Sequence, residues 1–285
     1  MRLLDGKVVF VTGGARGQGR AHALVSARAG AKVVVVDVVD QLSSVPYAMA
    51  KPEDLDETVA LVEKEGGEAL AVRADVRSQE QLDAAVAAAL EKFGRIDSLI
   101  ANAGIWTMAP YWELSEEMWS QTIETNLAGI WRSAKAVTPH MIERGTGSIV
   151  VISSVNGIEP GLNYAHYTSA KSGALGLMKV IALEGGRHGI RCNAICPGAI
   201  RTPMSSHQAA WDMMAGHPGG TEADMIQGGY HYSALKATSF LEPERVAETA
   251  LYLNSDLASS VTGVTIPVDA GHLLLAGINT DPVTS

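Results

Sequence analysis

The amino-acid sequence predicts an α/β protein with a doubly wound parallel sheet of about seven strands and helices on both faces. Seven short apolar runs alternate with longer helical patterns, which is typical of βαβ units and a parallel sheet. The runs are apolar throughout, as strands buried on both faces must be. No repeat or low-complexity tract divides the chain, and we expect residues 1–285 to form a single domain.

The first five apolar runs each precede a helical pattern. In chain order the pairs are "KVVFVT" with Gly19–Ala29, "AKVVVVD" with Pro52–Glu65, "ALAVRAD" with Gln79–Phe93, "DSLIAN" with a helix capped near Ser115, and "SIVVISS" with about Tyr164–Arg187. The run "GIRCNAICP" precedes an irregular stretch from Gly198 to about Leu241, a helix over Pro243–Asn254 and a last strand, "GVTIPVD". Because ligands of parallel sheets bind beyond the carboxyl ends of the strands, functional residues are expected just after each run.

Composition excludes several classes of protein. The formal net charge is −9 and no stretch is rich in Lys and Arg, so nucleic acid is not expected as a partner. No apolar run approaches the ~20 residues that span a bilayer. Asp5 and Lys7 interrupt the start of the chain, where a signal peptide needs an unbroken apolar centre. We therefore expect a soluble, cytoplasmic protein with no membrane partner.

Cysteine and histidine patterns give no sign of a metal or redox site. Cys192 and Cys196 have C-x3-C spacing, unlike the C-x2-C of redox or zinc pairs. They fall in a predicted buried strand, so we interpret them as small apolar core residues. The eight histidines show no ligand spacing such as H-E-x-x-H. No metal is predicted.

A glycine turn follows the first strand. Gly13, Gly17 and Gly19 form T-G-x3-G-x-G where the predicted strand meets its helix. Glycines let the backbone turn tightly and approach a pyrophosphate, whose charge then lies at the helix N-terminus. The same three glycines are also compatible with an ordinary tight turn. The pattern favours a Rossmann-type, dinucleotide-binding domain.

Asp37 ends the second strand, twenty residues after Gly17. A carboxylate there can accept hydrogen bonds from both adenosine ribose hydroxyls and repel a 2′-phosphate, so NAD is the predicted cofactor rather than NADP. Arg16 favours the opposite choice, because a basic residue in this loop can pair with such a phosphate. We favour Asp37, since the strand end fixes its position while Arg16 can swing to the pyrophosphate or to Asp37 itself.

Two further strand ends complete the predicted cofactor site. Asp75 and Val76 end the third strand, where a carboxylate can reach the adenine amino group. Asn102, Ala103 and Gly104 follow the fourth strand, where small residues let the backbone lie close to the cofactor.

The candidate catalytic residues follow the fifth strand. "YTSAK" places Tyr167 and Lys171 four residues apart on one helix face, and Ser154 ends the strand before it. Removing a hydride from an alcohol needs a base for the hydroxyl proton. A lysine cation one turn away is expected to lower the pKa of the tyrosine, and it can also hold the nicotinamide ribose. Ser154 would hydrogen-bond the substrate oxygen.

Asn126 lies within a predicted helix, in "TNLAG". Its side chain could hold a water that relays the proton from Lys171. A helix–helix packing contact is an equally good interpretation from the sequence.

Together these residues resemble the short-chain dehydrogenase/reductase family, over about Lys7 to Gly271. The glycine turn, Asp75, N-A-G, Asn126, Ser154, Tyr167 and Lys171 stand in the family's order. The resemblance implies that "PGAIRTPM" wraps the nicotinamide end, which adds Pro197, Gly198, Ile200 and Thr202 to the cofactor site. It also implies a homotetramer, since family members are commonly tetramers.

Two stretches, the glycine turn and the insertion after Asp37, make the resemblance more specific. "GGARGQGRAHA", with Gln18 as a further cofactor contact, and the insertion over 38–52 are similar to the mycofactocin-associated, carveol-dehydrogenase-like branch. In that branch the insertion is thought to hold NAD so tightly that it does not exchange, and mycofactocin is proposed as the external redox carrier. We expect Tyr47 and Met49 to cover adenine. A surface loop without function is the alternative.

The expected substrate is a hydrophobic secondary alcohol or its ketone. Large apolar residues follow the fourth and sixth strands, namely Trp106, Met108, Trp112, Met204, Trp211, Met213 and Met214. Residues 201–241 are predicted to form a substrate lid, although core packing of the same methionines is the alternative. The tail "HLLLAGI" is compatible with a subunit contact or with folding over the chain's own site.

Three other functions compete with this one. An ordinary dehydrogenase with freely exchanging NAD(P) would share every motif. A nucleotide-sugar epimerase or dehydratase would be longer and typically carry T-G-x2-G-x2-G. A non-enzymatic NAD-binding sensor would not need the Ser154, Tyr167 and Lys171 set.

Overall fold

Parallel strands form one sheet in the order β3-β2-β1-β4-β5-β6-β7. The structure is a computed structural model that describes residues 2–284. The strands are Val8–Thr12 (β1), Lys32–Asp37 (β2), Ala69–Arg73 (β3), Ser98–Ala101 (β4), Gly147–Ile152 (β5), Ile190–Pro197 (β6) and Thr265–Val268 (β7). All six neighbouring pairs are parallel, so the predicted fold class is confirmed.

Helices connect the strands. Within the described residues they are Gly17–Arg28 (α1), Pro52–Lys64 (α2), Gln79–Phe93 (α3), Glu116–Ile123 (α4), Gly129–Arg144 (α5), Ala165–Gly186 (α6), Gln208–Ala215 (α7), Glu222–His231 (α8) and Pro243–Asn254 (α9). Ser115 caps α4 as predicted, since its hydroxyl accepts a hydrogen bond from the amide of Met118. No helix among residues 2–284 has both the length and the apolar character to cross a membrane.

The two faces of the sheet pack against different helices. Val9 and Val11 of β1 belong to a core with residues of α1, α2 and α9. Val8 and Phe10, which point the other way, belong to a core with residues of α3, α5 and α6. Successive strand residues therefore enter opposite cores, as a doubly wound sheet requires.

The strand order reverses between β1 and β4, which pair directly. Open α/β sheets bind ligands in the crevice at such a reversal. The backbone amide of Asn102, after β4, donates a 3.1 Å hydrogen bond to the Thr12 hydroxyl at the end of β1. This contact joins the glycine turn to the N-A-G loop at the crevice.

Two parts of the chain differ from expectation. Residues 198–241, predicted to be irregular, contain α7 and α8. Both are short, and α8 includes Gly228 and Gly229, which lower helix propensity. A capping box at Thr221 and Asp224 begins α8. The second difference is a π-helical turn over Glu124–Ala128, which carries Asn126 between α4 and α5.

The two cysteines are free and buried, as predicted. No group of three or more His, Cys, Asp or Glu side chains within residues 2–284 is arranged to hold a metal ion.

Candidate active site

A cleft runs along the carboxyl edge of the sheet from Asp37 to Lys171. It brings together fourteen of the predicted site residues: Gly13, Arg16, Gly17, Gln18, Gly19, Asp37, Asp75, Val76, Asn102, Ala103, Gly104, Tyr167, Lys171 and Thr202. Pro197, Gly198 and Ile200 do not line it; Ile200 is buried and bridges to Leu241. Their roles at the nicotinamide stay predictions.

Two glycines of the turn, Gly13 and Gly19, have no room for a side chain. A Cβ on Gly19 would lie 1.8 Å from the carbonyl oxygen of Gly13, and one on Gly13 would lie 2.7 Å from the Cα of Ala103. Gly13 and Gly17 also have positive φ angles, +65° and +55°. The backbone of the turn is thus free to approach a ligand directly.

Helix α1 begins at this turn without a side-chain cap. Its N-cap residue, Arg16, makes no capping hydrogen bond, and its first turn holds no acidic residue. The first amides of a helix are unpaired, and the helix dipole favours an anion beside them. The N-terminus of α1 therefore fits a pyrophosphate group.

Asp37 is fixed by the backbone around it. Its carboxylate accepts hydrogen bonds from the amides of Ala15, at 3.0 Å, and Val39, at 3.3 Å. Burial raises the pKa of Asp37 above its ordinary value, although these hydrogen bonds oppose the shift. The position matches an acceptor for ribose hydroxyls at the end of β2.

Two residues predicted to contact the cofactor, Arg16 and Asp75, are already bonded to other residues of the chain. Arg16 donates a hydrogen bond to the carbonyl of Ala48 rather than to Asp37. Asp75 is paired with Arg77, whose Nη2 lies 2.6 Å from Oδ2 of Asp75. An adenine amino group would have to share the carboxylate of Asp75 with this guanidinium.

Tyr167 and Lys171 line the other end of the cleft. Ser154 does not line it, but its side chain hydrogen-bonds Tyr167. Nζ of Lys171 donates a 2.9 Å hydrogen bond to the carbonyl of Ile152 and lies 5.7 Å from the centroid of the Tyr167 ring. A Cβ on Gly104 would lie 3.6 Å from the same Nζ. The N-A-G loop thus reaches the catalytic lysine.

The pKa values of this pair differ from the expectation that Lys171 lowers the pKa of the phenol. Burial raises the pKa of Tyr167 to about 12, with a smaller opposing effect of the Ser154 hydroxyl. Burial lowers the pKa of Lys171 to about 8. Desolvation disfavours both charged forms, so the buried environment by itself keeps the phenol protonated.

The side chain of Asn126 binds the backbone of the loop after β4. Its side-chain oxygen accepts a 2.8 Å hydrogen bond from the amide of Ile105, and its nitrogen donates one of 2.8 Å to the carbonyl of Ile105. The residue is fully buried. It therefore fixes the loop after β4 against the π-helical turn, and its role in a proton relay stays a prediction.

Residues 38–52, here called the strap, cross the cleft. Gln41 organises it from within: its side-chain nitrogen lies within hydrogen-bonding distance of the carbonyls of Leu42, Val45 and Tyr47, and its oxygen accepts from the amide of Met49. Outside the strap, the hydroxyl of Ser44 donates a 2.7 Å hydrogen bond to Gln121 on α4. The role of Gln41 has no signal in the sequence, since only the folded strap brings its partners together.

Tyr47 lies beside the reacting end of the cleft, and its contact with adenine stays a prediction. Its hydroxyl accepts a 3.2 Å hydrogen bond from the amide of Trp106. Its ring stacks on His207, with centroids 5.0 Å apart and planes inclined by 26°. Tyr47 lines the cleft together with Tyr167 and Lys171.

An apolar cluster adjoins Tyr167 on the substrate side. Buried members come from the strap, the loop after β4, the start of α6 and α7: Leu42, Val45, Tyr47, Ile105, Trp106, Tyr164 and Ala210. Met49, Met108, Tyr167 and Met204 pack against them. Trp112 was wrongly predicted to join this wall; its side chain is 71% exposed and packs on Tyr111.

The methionines of α7 divide between two environments. Met213 is partly exposed, and its sulfur accepts a 2.7 Å hydrogen bond from the hydroxyl of Tyr164. Met214 packs toward α8, where a Cβ on Gly228 would meet its side chain at 3.3 Å. Core packing of the lid therefore explains Met214.

The tail folds back on its own chain at His272. The imidazole hydrogen-bonds Glu159, which follows β5, and its ring stacks on Tyr232 at the end of α8. Leu274 is exposed beside it. The tail thus links the lid to the loop that carries Ser154.

A protein-family model described as short chain dehydrogenase matches residues 7–213. The chain belongs to the short-chain dehydrogenase family. The prediction of a dehydrogenase is thereby confirmed.

Three relatives illustrate the similarity. An uncharacterized NAD-dependent oxidoreductase of Mycobacterium tuberculosis (strain ATCC 25618 / H37Rv) is 40% identical over 272 residues, covering 95% of this chain and 97% of the relative. The (-)-trans-carveol dehydrogenase of Rhodococcus erythropolis is 37% identical, covering 96% and 100%. The crystal structure of carveol dehydrogenase from Mycobacterium avium in complex with NAD superposes with a TM-score of 0.93 at 35% identity, covering 96% and 99%. These relatives agree with the prediction of NAD as cofactor.

Proposed function

We propose that this dehydrogenase interconverts a hydrophobic secondary alcohol and its ketone, using an NAD that it holds tightly and that an external redox carrier recycles in place. The observation that carries the proposal is the placement of Tyr167 and Lys171 in a cleft that the strap crosses. The carveol dehydrogenase relatives support a hydrophobic, terpenoid-like substrate. The apolar cluster beside Tyr167 has the matching character.

The residues of the cleft fit NAD from one end to the other. The uncapped N-terminus of α1 suits the pyrophosphate, and the carboxylate of Asp37 suits the adenosine ribose. Lys171 lines the opposite end and has donors for the second ribose. When bound there, NAD supplies the acceptor for the hydride that leaves the alcohol carbon.

Tyr167 moves the proton. In the oxidation its phenolate takes the proton of the substrate hydroxyl, and in the reduction its phenol returns a proton to the carbonyl oxygen. A pKa raised to about 12 suits the donor role directly. The base role needs positive charge nearby, which protonated Lys171 and the oxidised cofactor would both supply. Ser154 would orient the substrate oxygen toward Tyr167.

Retention of NAD is proposed from the strap. Leu42, Tyr47, Met49 and Ala50 line the cleft from that side, and Arg16 ties the glycine turn to Ala48. A ligand beneath these residues can leave only when the strap opens. An enzyme that keeps its NADH needs a carrier to accept the hydride in place, and the resemblance to the mycofactocin-associated branch suggests mycofactocin.

The test is to purify the protein without added cofactor, denature it and identify any released nucleotide by mass spectrometry. Native protein is then soaked in isotope-labelled NAD to measure exchange of the bound pool. Stoichiometric, non-exchanging NAD is expected, with release on deletion of residues 45–51. Empty or freely exchanging protein would indicate an ordinary NAD(P)-dependent dehydrogenase. Full biological activity of Tyr167→Phe would instead indicate a non-enzymatic sensor.

A further inference from the structure

Tyr47 belongs to two sites at once. It lines the cofactor cleft with Tyr167 and Lys171, and it is a buried member of the apolar cluster with Trp106 and Tyr164. Leu42 and Met49 of the strap also adjoin both regions. Tyr47 differs from Leu42 and Met49 because its aromatic ring stacks on a residue of the segment after β6.

The partner of that ring is His207, the N-cap residue of α7. His207 stacks on Tyr47 at 5.0 Å and tilts against Trp106 at 5.4 Å, so it fills the space between the strap and the loop after β4. Burial lowers the pKa of His207, which keeps the stacked imidazole neutral. A movement of α7 away from the sheet would separate this ring from Tyr47.

The hydrogen bonds that attach the strap lie elsewhere, although Met204 and Ala210 of residues 201–241 also belong to the apolar cluster that contains Leu42, Val45 and Tyr47. Ser43 and Ser44 hydrogen-bond Gln121 on α4, and Ala48 accepts from Arg16 in the glycine turn. Neither contact involves residues 201–241. The Tyr47–His207 stack therefore joins the strap to the predicted lid independently of them.

We propose that Tyr47 is a specificity-determining residue of the substrate site as well as part of the cofactor clamp, and that its stack on His207 makes closure of the strap and closure of the lid one event. The proposal rests on the proposed function. The Tyr47 oxygen accepts a hydrogen bond from the amide of Trp106, which holds the ring in place as an apolar wall for a substrate. The Tyr47 ring favours contact with the hydrophobic part of an alcohol substrate. A substrate packed against this ring also holds the strap closed, because the ring belongs to the strap.

The coupling is tested with a double-mutant cycle. Tyr47→Ala, His207→Ala and the double variant are stripped of cofactor, loaded with NADH, and followed by the loss of bound-NADH fluorescence after a chase with NAD. Each single variant is expected to release NADH about tenfold faster than the parent protein, and the double variant hardly faster than either, since residues in contact are not additive. Ser44→Ala is the matched control: it loosens the strap at α4, so its effect should multiply with that of His207→Ala.

The substrate half of the proposal has its own readout. In steady-state assays, Tyr47→Ala is expected to raise KM for a bulky cyclic secondary alcohol by about tenfold more than KM for propan-2-ol, whereas Ser44→Ala should leave the ratio of the two KM values unaltered. Tyr47→Phe keeps the ring and should retain the parent ratio, which separates packing from loss of the hydroxyl.

The outcomes are distinguishable. Multiplying effects of Tyr47→Ala and His207→Ala, or an unchanged KM ratio in a Tyr47→Ala protein with normal circular dichroism, would overturn the inference. Exchangeable NAD in the parent protein would overturn tight retention instead, and because the cycle uses added NADH it still reports on the coupling. If Tyr47→Ala fails to fold, Tyr47→Leu replaces it in the same cycle.

Discussion

Nζ of Lys171 lies 5.7 Å from the centroid of the Tyr167 ring, and the two residues have pKa values shifted in opposite directions by the same burial. The phenol is held protonated and the amine is drawn toward its neutral form. The folded chain thus tolerates this pair at a cost in stability, as catalytic groups often require.

The first prediction concerns stability and pH. The pKa of Lys171 falls from 10.5 to about 8 on folding. Between those values the unfolded chain holds a proton that the folded chain has lost, so rising pH stabilises the fold through this residue. The free energy of unfolding of the parent, minus that of Lys171→Met, should increase by up to about 3 kcal/mol from pH 8 to 10.5.

Urea unfolding of the parent and of Lys171→Met across that pH range measures this difference in unfolding free energy. Lys179→Met, on the exposed face of the same helix, is the matched control and should give a flat difference. A flat difference for Lys171→Met as well would mean that Lys171 keeps its proton in the folded protein at pH 9.

The second prediction concerns the proton transfer. Tyr167→Phe removes the hydroxyl but little volume, so cofactor binding should persist while kcat falls by about 10²–10⁴-fold. Single-turnover reduction of the bound cofactor by an alcohol substrate measures the chemical step. Tyr252→Phe, on α9, controls for loss of a phenol elsewhere. A kcat within a factor of about two of the parent would remove Tyr167 from the mechanism.

The third prediction concerns the choice between NAD and NADP. Asp37→Asn keeps an acceptor for the amide of Ala15 but loses the charge that would oppose a 2′-phosphate. The ratio of the NADPH to the NADH dissociation constant should fall at least about tenfold, measured by fluorescence on cofactor-stripped protein.

The pH dependence gives a second check on Asp37. Burial raises its pKa, so the carboxyl becomes neutral at a higher pH than an exposed aspartate does. The 2′-phosphate of NADPH titrates in the same pH range for both proteins, so the two are compared: discrimination against NADPH in the parent, divided by that in Asp37→Asn, should fall on acidification. An identical pH profile for the two proteins would place the discriminating charge elsewhere.

The fourth prediction concerns the glycine turn. A Cβ on Gly19 would lie 1.8 Å from the Gly13 oxygen, so Gly19→Ala must displace backbone and should cost more than about 3 kcal/mol in unfolding free energy. NADH binding should be lost with it. Gly66→Ala is the matched control, because Gly66 has a φ of +80° but no atom within 4 Å of the added Cβ, and only about 1–2 kcal/mol of backbone strain is expected.

Local sequence patterns were sufficient to predict the sheet and most of the residues that line the cleft. Continuous valine runs such as that of β2 fit a strand covered by helices on both faces. The glycines after β1 permit the positive φ angles that the tight turn needs. The Y-x3-K spacing likewise fixes a shared helix face. These features depend on neighbours in sequence, which is why the predicted strand ends carry the residues of the cleft.

Features that depend on distant contacts were not predictable. Tyr47 reaches Trp106 across 59 residues of chain, and no spacing rule connects them. Trp112 is apolar but lies on the surface beside Tyr111. Asn126 lies in a π-helical turn and binds the backbone of Ile105, 21 residues earlier in the chain, whereas the sequence pattern there is that of an ordinary helix.

The hydrogen bonds that shape the strap come largely from one side chain. Gln41 binds groups no more than eight residues away, so the strap can detach as a local unit while the sheet stays intact. Sub-global openings of this kind cost less free energy than complete unfolding and are visible in amide hydrogen exchange. Faster deuterium uptake at the Met49 amide would then go with faster release of a ligand beneath the strap. A protein with a high melting temperature could still release that ligand quickly.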